Sequence, residues 1–200
     1  AGKYEDAWRA LTQDNPLPAT MGRVCYHPCE GACNRAQLDE AVGINSVERF
    51  LGDEAIRRGW KFAPPRSFSG TRVLVVGAGP SGLSAAYHLA RLGHEVEIHE
   101  AGPVAGGMMR FGIPKYRLPR EVLAAEIRRI EALGVTIELN RKVTDLVAEQ
   151  ARGGFDAVFV AVGAHLSKRQ AIPSQDAGRI FDALQFLKEV ELGGGAPKIG

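Results

Sequence analysis

Arg72-Val73-Leu74-Val75-Val76-Gly77-Ala78-Gly79-Pro80-Ser81-Gly82 is the stretch that decides the fold. Its apolar, β-branched start reads as a buried strand. The strand runs straight into Gly-x-Gly-x-x-Gly, and Ser81 to Leu92 then carries a helical pattern closed by Gly93. Strand, glycine loop and helix in that order form a phosphate-binding turn. Gly77 permits the tight turn, Gly79 leaves space for a pyrophosphate to reach the backbone, and Gly82 lets the helix lie close to the strand. Ala78, Pro80 and Ser81 complete the loop, and the helix N-terminus offers unpaired N–H groups to the phosphates. The next strand, Glu95 to His99, leads into Glu100, eighteen residues after Gly82. A carboxylate there accepts hydrogen bonds from ribose hydroxyls and repels a 2′-phosphate.

Downstream the α/β alternation continues. Pro119 to Leu133 is an amphipathic helix with Leu123, Ile127 and Ile130 inward and Gly134 as its stop. Val135 to Leu139 reads as a third strand and Phe155 to Val162, apolar on both faces, as a buried fourth. Asp182 to Glu191 is a last helix, and residues 193–197 follow it as a linker. Two features separate FAD from NAD as the dinucleotide. Gly106-Gly107-Met108 places a second glycine pair just after the acidic strand, and the fourth strand ends in small residues at Gly163. A long cofactor uses both, and an NAD-only unit has no need for both.

Upstream the chain changes character near residue 65. Tyr4, Ala7, Trp8 and Leu11 share one helical face, and Asn15-Pro16-Leu17-Pro18 stops that helix. Gly22 to Asn34 is a loop holding Cys25, Cys29 and Cys33. Ser46 reads as the N-cap of a helix with Val47, Phe50, Leu51 and Ala55 on one side, and residues 63–66 as an extended linker. The expected architecture is an α/β Rossmann-like domain over 66–200, preceded by a small, mostly α-helical domain over 1–65.

Composition agrees with a soluble globular protein. The chain has 200 residues, 45% hydrophobic and 24% charged, with a formal net charge of +2. No basic block points to nucleic acid. Three thiols within nine residues make no disulfide framework and point to metal in a reducing, cytoplasmic setting. The one stretch long enough to span a bilayer without Asp, Glu, Lys or Arg, Val73 to Ala90, is broken midway by the glycine loop, so no membrane insertion is expected.

Taken together, Asn15-Pro16-Leu17-Pro18, Gly22-Arg23-Val24-Cys25, Cys29-Glu30-Gly31-Ala32-Cys33-Asn34, the glycine loop, Gly106-Gly107 and Gly112-Ile113-Pro114-Lys115-Tyr116-Arg117-Leu118-Pro119 resemble the small (β) subunit of glutamate synthase. They are similar also to the matching region of dihydropyrimidine dehydrogenase and related NAD(P)H-linked enzymes. The resemblance implies an oxidoreductase that passes electrons from a nicotinamide through FAD to [4Fe-4S] clusters and on to a partner subunit or domain. It implies that Gly77 to Ser81 and Glu100 hold the ADP half of FAD. Gly107 and Met108 would flank the pyrophosphate and ribityl chain, and Arg117 would lie on the flavin side. Val143 would meet the adenine through its backbone, and Val24 would sit where the cysteine loop meets the flavin. By the same resemblance Cys25 and Cys29 belong to one cluster, with Glu48 as an unusual oxygen ligand, and Cys33 to the other. The remaining cysteines would lie upstream of Ala1 and the NAD(P)H-binding strand beyond Gly200, so the chain reads as part of a longer protein.

The alternative for the thiols is a structural zinc held with His27 in a non-catalytic nucleotide-binding module. His88, His94, His99 and His165 read as surface or packing residues, and Arg120, Arg128, Arg129 and Arg141 as a solvated helix face and its neighbours. No catalytic triad is visible.

Overall fold

The computed structural model describes residues 2–166 and 181–193. Four parallel strands form one sheet in the order β3-β2-β1-β4, with β1 at Arg72–Val76, β2 at Glu95–His99, β3 at Thr136–Glu138 and β4 at Ala157–Val160. The register sets Val75 beside Ile98 and Phe159, and Ile98 beside Ile137. The crossovers are helical. α5 (Pro80–Arg91) joins β1 to β2, α6 (Met108–Phe111) and α7 (Arg120–Glu131) join β2 to β3, and α8 (Leu146–Gly153) joins β3 to β4. This is the expected α/β Rossmann-like arrangement. The glycine loop lies at the carboxyl end of β1, where the chain order reverses on either side, the crevice in which such sheets bind ligands.

Strand alternation divides the core. Val75, Val96 and Ile98 pack with Leu83, Ala86 and Tyr87 of α5 and Leu123, Ile127 and Ile130 of α7. Leu74 and Val76 face the other way, onto Phe155, Val143 and Val158. The fourth strand corrects the sequence reading. It is shorter, and Phe159 and Val160 are 41% and 52% exposed. Among the described residues β4 pairs only with β1, as an edge, and apolar side chains alone do not supply a covering layer.

The N-terminal helices are α1 (Tyr4–Leu11), α2 (Pro18–Val24), the single turn α3 (Pro28–Gly31) and α4 (Ile44–Arg58). Gly22, expected in a loop, lies inside α2. A Cβ on it would stand 2.6 Å from the Arg49 backbone, and one on Gly52 would strike Ala19. These two bare positions let α2 and α4 cross in contact. α4 starts two residues before Ser46, which is therefore no N-cap. Instead the Asn45 N–H donates to the Glu30 carboxylate at 2.8 Å. Leu51 and Ala55 face inward as expected, but Val47 and Phe50 are about half exposed.

Trp8, fully buried, stacks on Phe62 with ring centroids 5.3 Å apart, and Phe62 packs on Tyr87 at 4.6 Å. The segment before the expected linker is thus an aromatic bridge onto α5. Polar contacts reinforce it. Tyr87 Oη donates to the Thr12 carbonyl and Arg91 to the Gln13 carbonyl at 2.9 Å, so α5 caps the end of α1. Glu126 of α7 accepts the N–H groups of Ala19 and Thr20, both at 2.8 Å, so α7 caps the start of α2. Cations at a helix C-terminus and carboxylates at an N-terminus both complement the helix dipole.

α9 (Ala183–Glu191), capped by Asp182, docks through Glu191 onto Arg120 at 2.9 Å. Arg120 also donates to the carbonyls of Leu118 and Ile113 at 3.0 and 2.8 Å. Arg129 is buried with its guanidinium over Trp8 and donates to the Trp60 carbonyl at 3.0 Å. Neither arginine belongs to a solvated face. Most of the 193–197 linker lies outside the described residues, and no described helix is long and apolar enough to cross a membrane.

Candidate functional site

β1 ends at Val76 and the chain turns through Gly77, whose φ of +106° is open to glycine at little cost. The Gly77 N–H donates to the His99 carbonyl at 2.9 Å, and the Ala161 N–H to the Val76 carbonyl at 2.8 Å. The ends of β1, β2 and β4 are therefore tied together at the loop. A Cβ on Gly82 would overlap the Gly77 carbonyl oxygen, so the first turn of α5 lies directly against the loop. Gly79 differs. It caps α5 in extended conformation, and a Cβ there would meet only Gly107 Cα, at 4.0 Å. The fold does not fill the space above Gly79, which is what a phosphate needs.

Gly106 and Gly107 back directly onto this loop. The Gly106 N–H donates to the Ala78 carbonyl at 2.8 Å, and a Cβ on Gly107, at φ +50°, would stand 2.8 Å from Gly79 Cα. The two glycine segments make one continuous backbone floor, with half-exposed Met108 opening the next helix. Glu100 stands beside it. One carboxylate oxygen accepts the Ala78 N–H at 2.7 Å and the other the Gly102 N–H at 2.7 Å. A carboxylate has about four acceptor positions, so two remain for ribose hydroxyls. The residues fit the ADP half of a dinucleotide.

The other expected flavin contacts are spread around this floor. Val24, at the end of α2, packs on the same core cluster as Met109 and Leu118. Arg117 is exposed, with its guanidinium 6.0 Å from the Tyr26 ring, so the Arg117 loop meets the cysteine loop there. Val143 packs on the far face of the sheet with Leu74 and Val76, and Gly163 is exposed at φ +71°.

The cysteine loop is less complete. Cys25 and Cys29 are exposed and Cys33 is partly buried. Backbone N–H donors, first from Val42, hold the Cys33 thiol below its usual range, which favours the thiolate that binds metals. Glu48 accepts a hydrogen bond from the Asn15 side chain, and partial burial pushes its carboxyl up. No three ligand atoms of Cys25, Cys29, Cys33, His27 and Glu48 lie within 4.8 Å of one another among the described residues. Among the described residues these side chains are therefore not gathered into a single-ion zinc set.

Glu97, His99 and Glu138 do converge within 4.8 Å. Arg141 bonds Glu138 and Glu149 there, so a cation of the chain already fills the group. His99, wholly buried, accounts for one expected packing histidine.

Sequence reading missed Glu126 and set Arg129 on a solvated face. Glu126 falls on the apolar face between Leu123, Ile127 and Ile130, and a charge at such a position was the available signal.

Comparisons with known proteins agree with this geometry. A family described as dihydropyrimidine dehydrogenase domain II, 4Fe-4S cluster, matches residues 1–60, and one described as an NAD(P)-binding Rossmann-like domain matches residues 75–123. The NADP(+)-dependent formate dehydrogenase subunit beta of Moorella thermoacetica is 41% identical over 96% of this chain and 31% of its own length. The NADPH-Fe(3+) oxidoreductase subunit beta of Geobacter sulfurreducens is 36% identical over 96% of this chain and 30% of its own. The glutamate synthase [NADPH] small chain of Bacillus subtilis is 33% identical over 93% of this chain and 38% of its own. Mycobacterium tuberculosis FprA in complex with NADPH shares the fold, with a TM-score of 0.52 and 24% identity over 60% of this chain and 28% of that one. The chain thus spans about a third of the length of these curated relatives. Over nearly its whole length it is similar to one part of these oxidoreductase subunits, the glutamate synthase small chains among them.

Proposed function

We propose that this chain is the FAD-binding part of an NAD(P)H-dependent oxidoreductase that sends electrons through FAD to [4Fe-4S] clusters and an electron-accepting partner subunit or domain, in the cytoplasm. The observation that carries it is the open Gly79, floored by Gly107 and flanked by the Glu100 carboxylate. The proposed division falls near residue 65, with 1–65 the cluster-bearing part and 66–200 the first part of the FAD-binding domain. The family matches to residues 1–60 and 75–123 support that division.

The chain's own residues bind and orient. The free N–H groups at the start of α5 face the phosphate position, and the backbone floor from Gly79 to Gly107 admits the pyrophosphate without a side chain in the way. Glu100, fixed by Ala78 and Gly102, holds its free lone pairs toward the ribose. Val24 and Arg117 bring the cysteine loop and the flavin-side loop together. The chemistry supplied there by bound FAD is the conversion of a two-electron hydride into single electrons. Cys25 and Cys29, with Glu48, would supply ligands to one cluster and Cys33 to the other, the remaining ligands coming from outside the described residues.

Reconstitution tests the reading. The holoprotein that carries this chain should retain FAD through desalting, with flavin bands in its visible spectrum. Retention of NAD and not of flavin would overturn it.

A further inference from the structure

Glu126 is fully buried, yet both its carboxylate oxygens are spent on another element. They take the Ala19 and Thr20 N–H groups, at the second and third positions of α2, each at 2.8 Å. No side chain of α2's own N-cap residue, Leu17, does this work. Pro18 before them has no N–H to offer. Three residues along the same face of α7, Arg129 donates to the Trp60 carbonyl and lies over Trp8. α7 thus grips the N-terminal helices at two polar points.

The other end of α2 is where the flavin-side residues stand. The helix has seven residues, about 10 Å at 1.5 Å per residue. It ends at Val24, with Cys25 as its C-cap and Tyr26 beside Arg117 beyond. Its flank is fixed against α4 at Gly22 and Gly52, so a shift at the capped end is carried along a rigid body. The ADP site lies on different elements, the glycine loop and the end of β2.

We propose that Glu126 is a positioning residue for the flavin half of the cofactor: by capping α2 it sets where Val24 and Tyr26 meet the Arg117 loop. This rests on the assignment of Val24 and Arg117 to the flavin side. Glu126 touches no cofactor atom and acts only through α2. The carboxylate matches the cap because each oxygen accepts one N–H. A glutamine offers one acceptor and sets an amide N–H against the other backbone donor.

Two probes separate this role from general support of the fold. ADP reports the glycine loop and Glu100 alone, and FAD reports both halves. Glu126→Gln in the holoprotein, stripped of flavin, should leave ADP affinity within twofold and lower FAD affinity at least tenfold. Glu126→Asp, which keeps the charge but shortens the reach, should fall between wild type and Gln. Equal losses for ADP and FAD, or unchanged FAD binding, overturn the proposal. Should neither variant fold, amide hydrogen exchange in the wild-type protein decides. Exchange at Ala19 and Thr20 as slow as in β1, with added protection at Val24 and Tyr26 on binding FAD but not ADP, supports the role; fast exchange, or equal protection by both ligands, overturns it. A wild-type protein that binds ADP but not FAD sinks the flavin assignment, while the exchange rates at Ala19 and Thr20 still report whether the clamp exists.

Discussion

Glu100 reaches back to Ala78 and accepts its N–H at 2.7 Å, so the acid at the end of β2 and the glycine loop after β1 are held as one unit by protein contacts. The second oxygen accepts the Gly102 N–H and fixes the start of the following loop as well. The group proposed to recognise ribose therefore also shapes the loop proposed to receive phosphate.

Glu100→Ala should accordingly do two things at once. It removes ribose acceptors and leaves the Ala78 and Gly102 N–H groups without a partner, at roughly 1–3 kcal/mol for each such group that stays buried. FAD affinity should fall by tenfold or more and the melting temperature should drop. Glu100→Gln keeps one acceptor and should show a smaller loss of both. Calorimetric titration with FAD and a thermal melt check this, and a variant with unchanged affinity contradicts the ribose role.

Gly79 and Gly82 should separate binding from folding. A Cβ at Gly79 has free space in the protein alone, so Gly79→Val should melt close to wild type and retain no flavin. A Cβ at Gly82 overlaps the Gly77 carbonyl, so Gly82→Ala should unfold easily with or without ligand, with a cost on the order of overpacking in a core, about 1–3 kcal/mol or more. Melting curves and bound-flavin absorbance distinguish the two.

The buried carboxyl of Glu126 should leave a pH signature. Burial pushes it up to about 7, against the pull of the Ala19 and Thr20 N–H groups and of Arg129. The folded state then holds a proton that the unfolded state, near the ordinary 4.5, has released. Stability from this group is full below pH 4.5 and is lost as pH rises through about 7. The loss is on the order of 3 kcal/mol at 1.36 kcal/mol per pKa unit. Urea unfolding at pH 5 and pH 8 should show that decline in the wild type and a much flatter line in Glu126→Gln.

Trp8 joins the N-terminal helices to α5 through Phe62 and lies under Arg129. Trp8→Ala should cost about 3–5 kcal/mol, the usual range for a large buried aromatic. Because the same contacts hold both parts of the chain, denaturation of the wild type should follow one transition by tryptophan fluorescence and by far-ultraviolet circular dichroism. In Trp8→Ala the segment before residue 60 should open first, seen as early proteolysis there.

Cys33 should react at lower pH than an ordinary thiol, because backbone N–H donors stabilise its thiolate. Alkylation by iodoacetamide followed against pH, site by site in peptide maps, should place its midpoint below the value for a cysteine in an unstructured peptide. A midpoint at or above that value would contradict the hydrogen-bonded thiolate.

Local order was legible in the sequence. Val73 to Val76 followed by Gly77, Gly79 and Gly82 determines a strand, a turn and a helix by sterics alone, and Glu95–His99 and the helix around Leu123, Ile127 and Ile130 follow from hydrophobic period. α8 also carried its signal, an Asp145 N-cap that accepts the Val147 and Ala148 N–H groups, though it was not foreseen. What the sequence could not determine is which surfaces meet. The exposure of Phe159 and Val160 depends on what lies across β4, and the true start of α4 on a Glu30 carboxylate fifteen residues from Asn45. The roles of Glu126 and Arg129 depend on helix ends brought to them from more than sixty residues away. Propensity and periodicity act over a few residues, whereas burial of a charge is decided by partners that only the folded chain brings into reach. The glycine loop therefore belonged to the sequence, and the clamp that joins the N-terminal segment to α7 belonged to the tertiary structure.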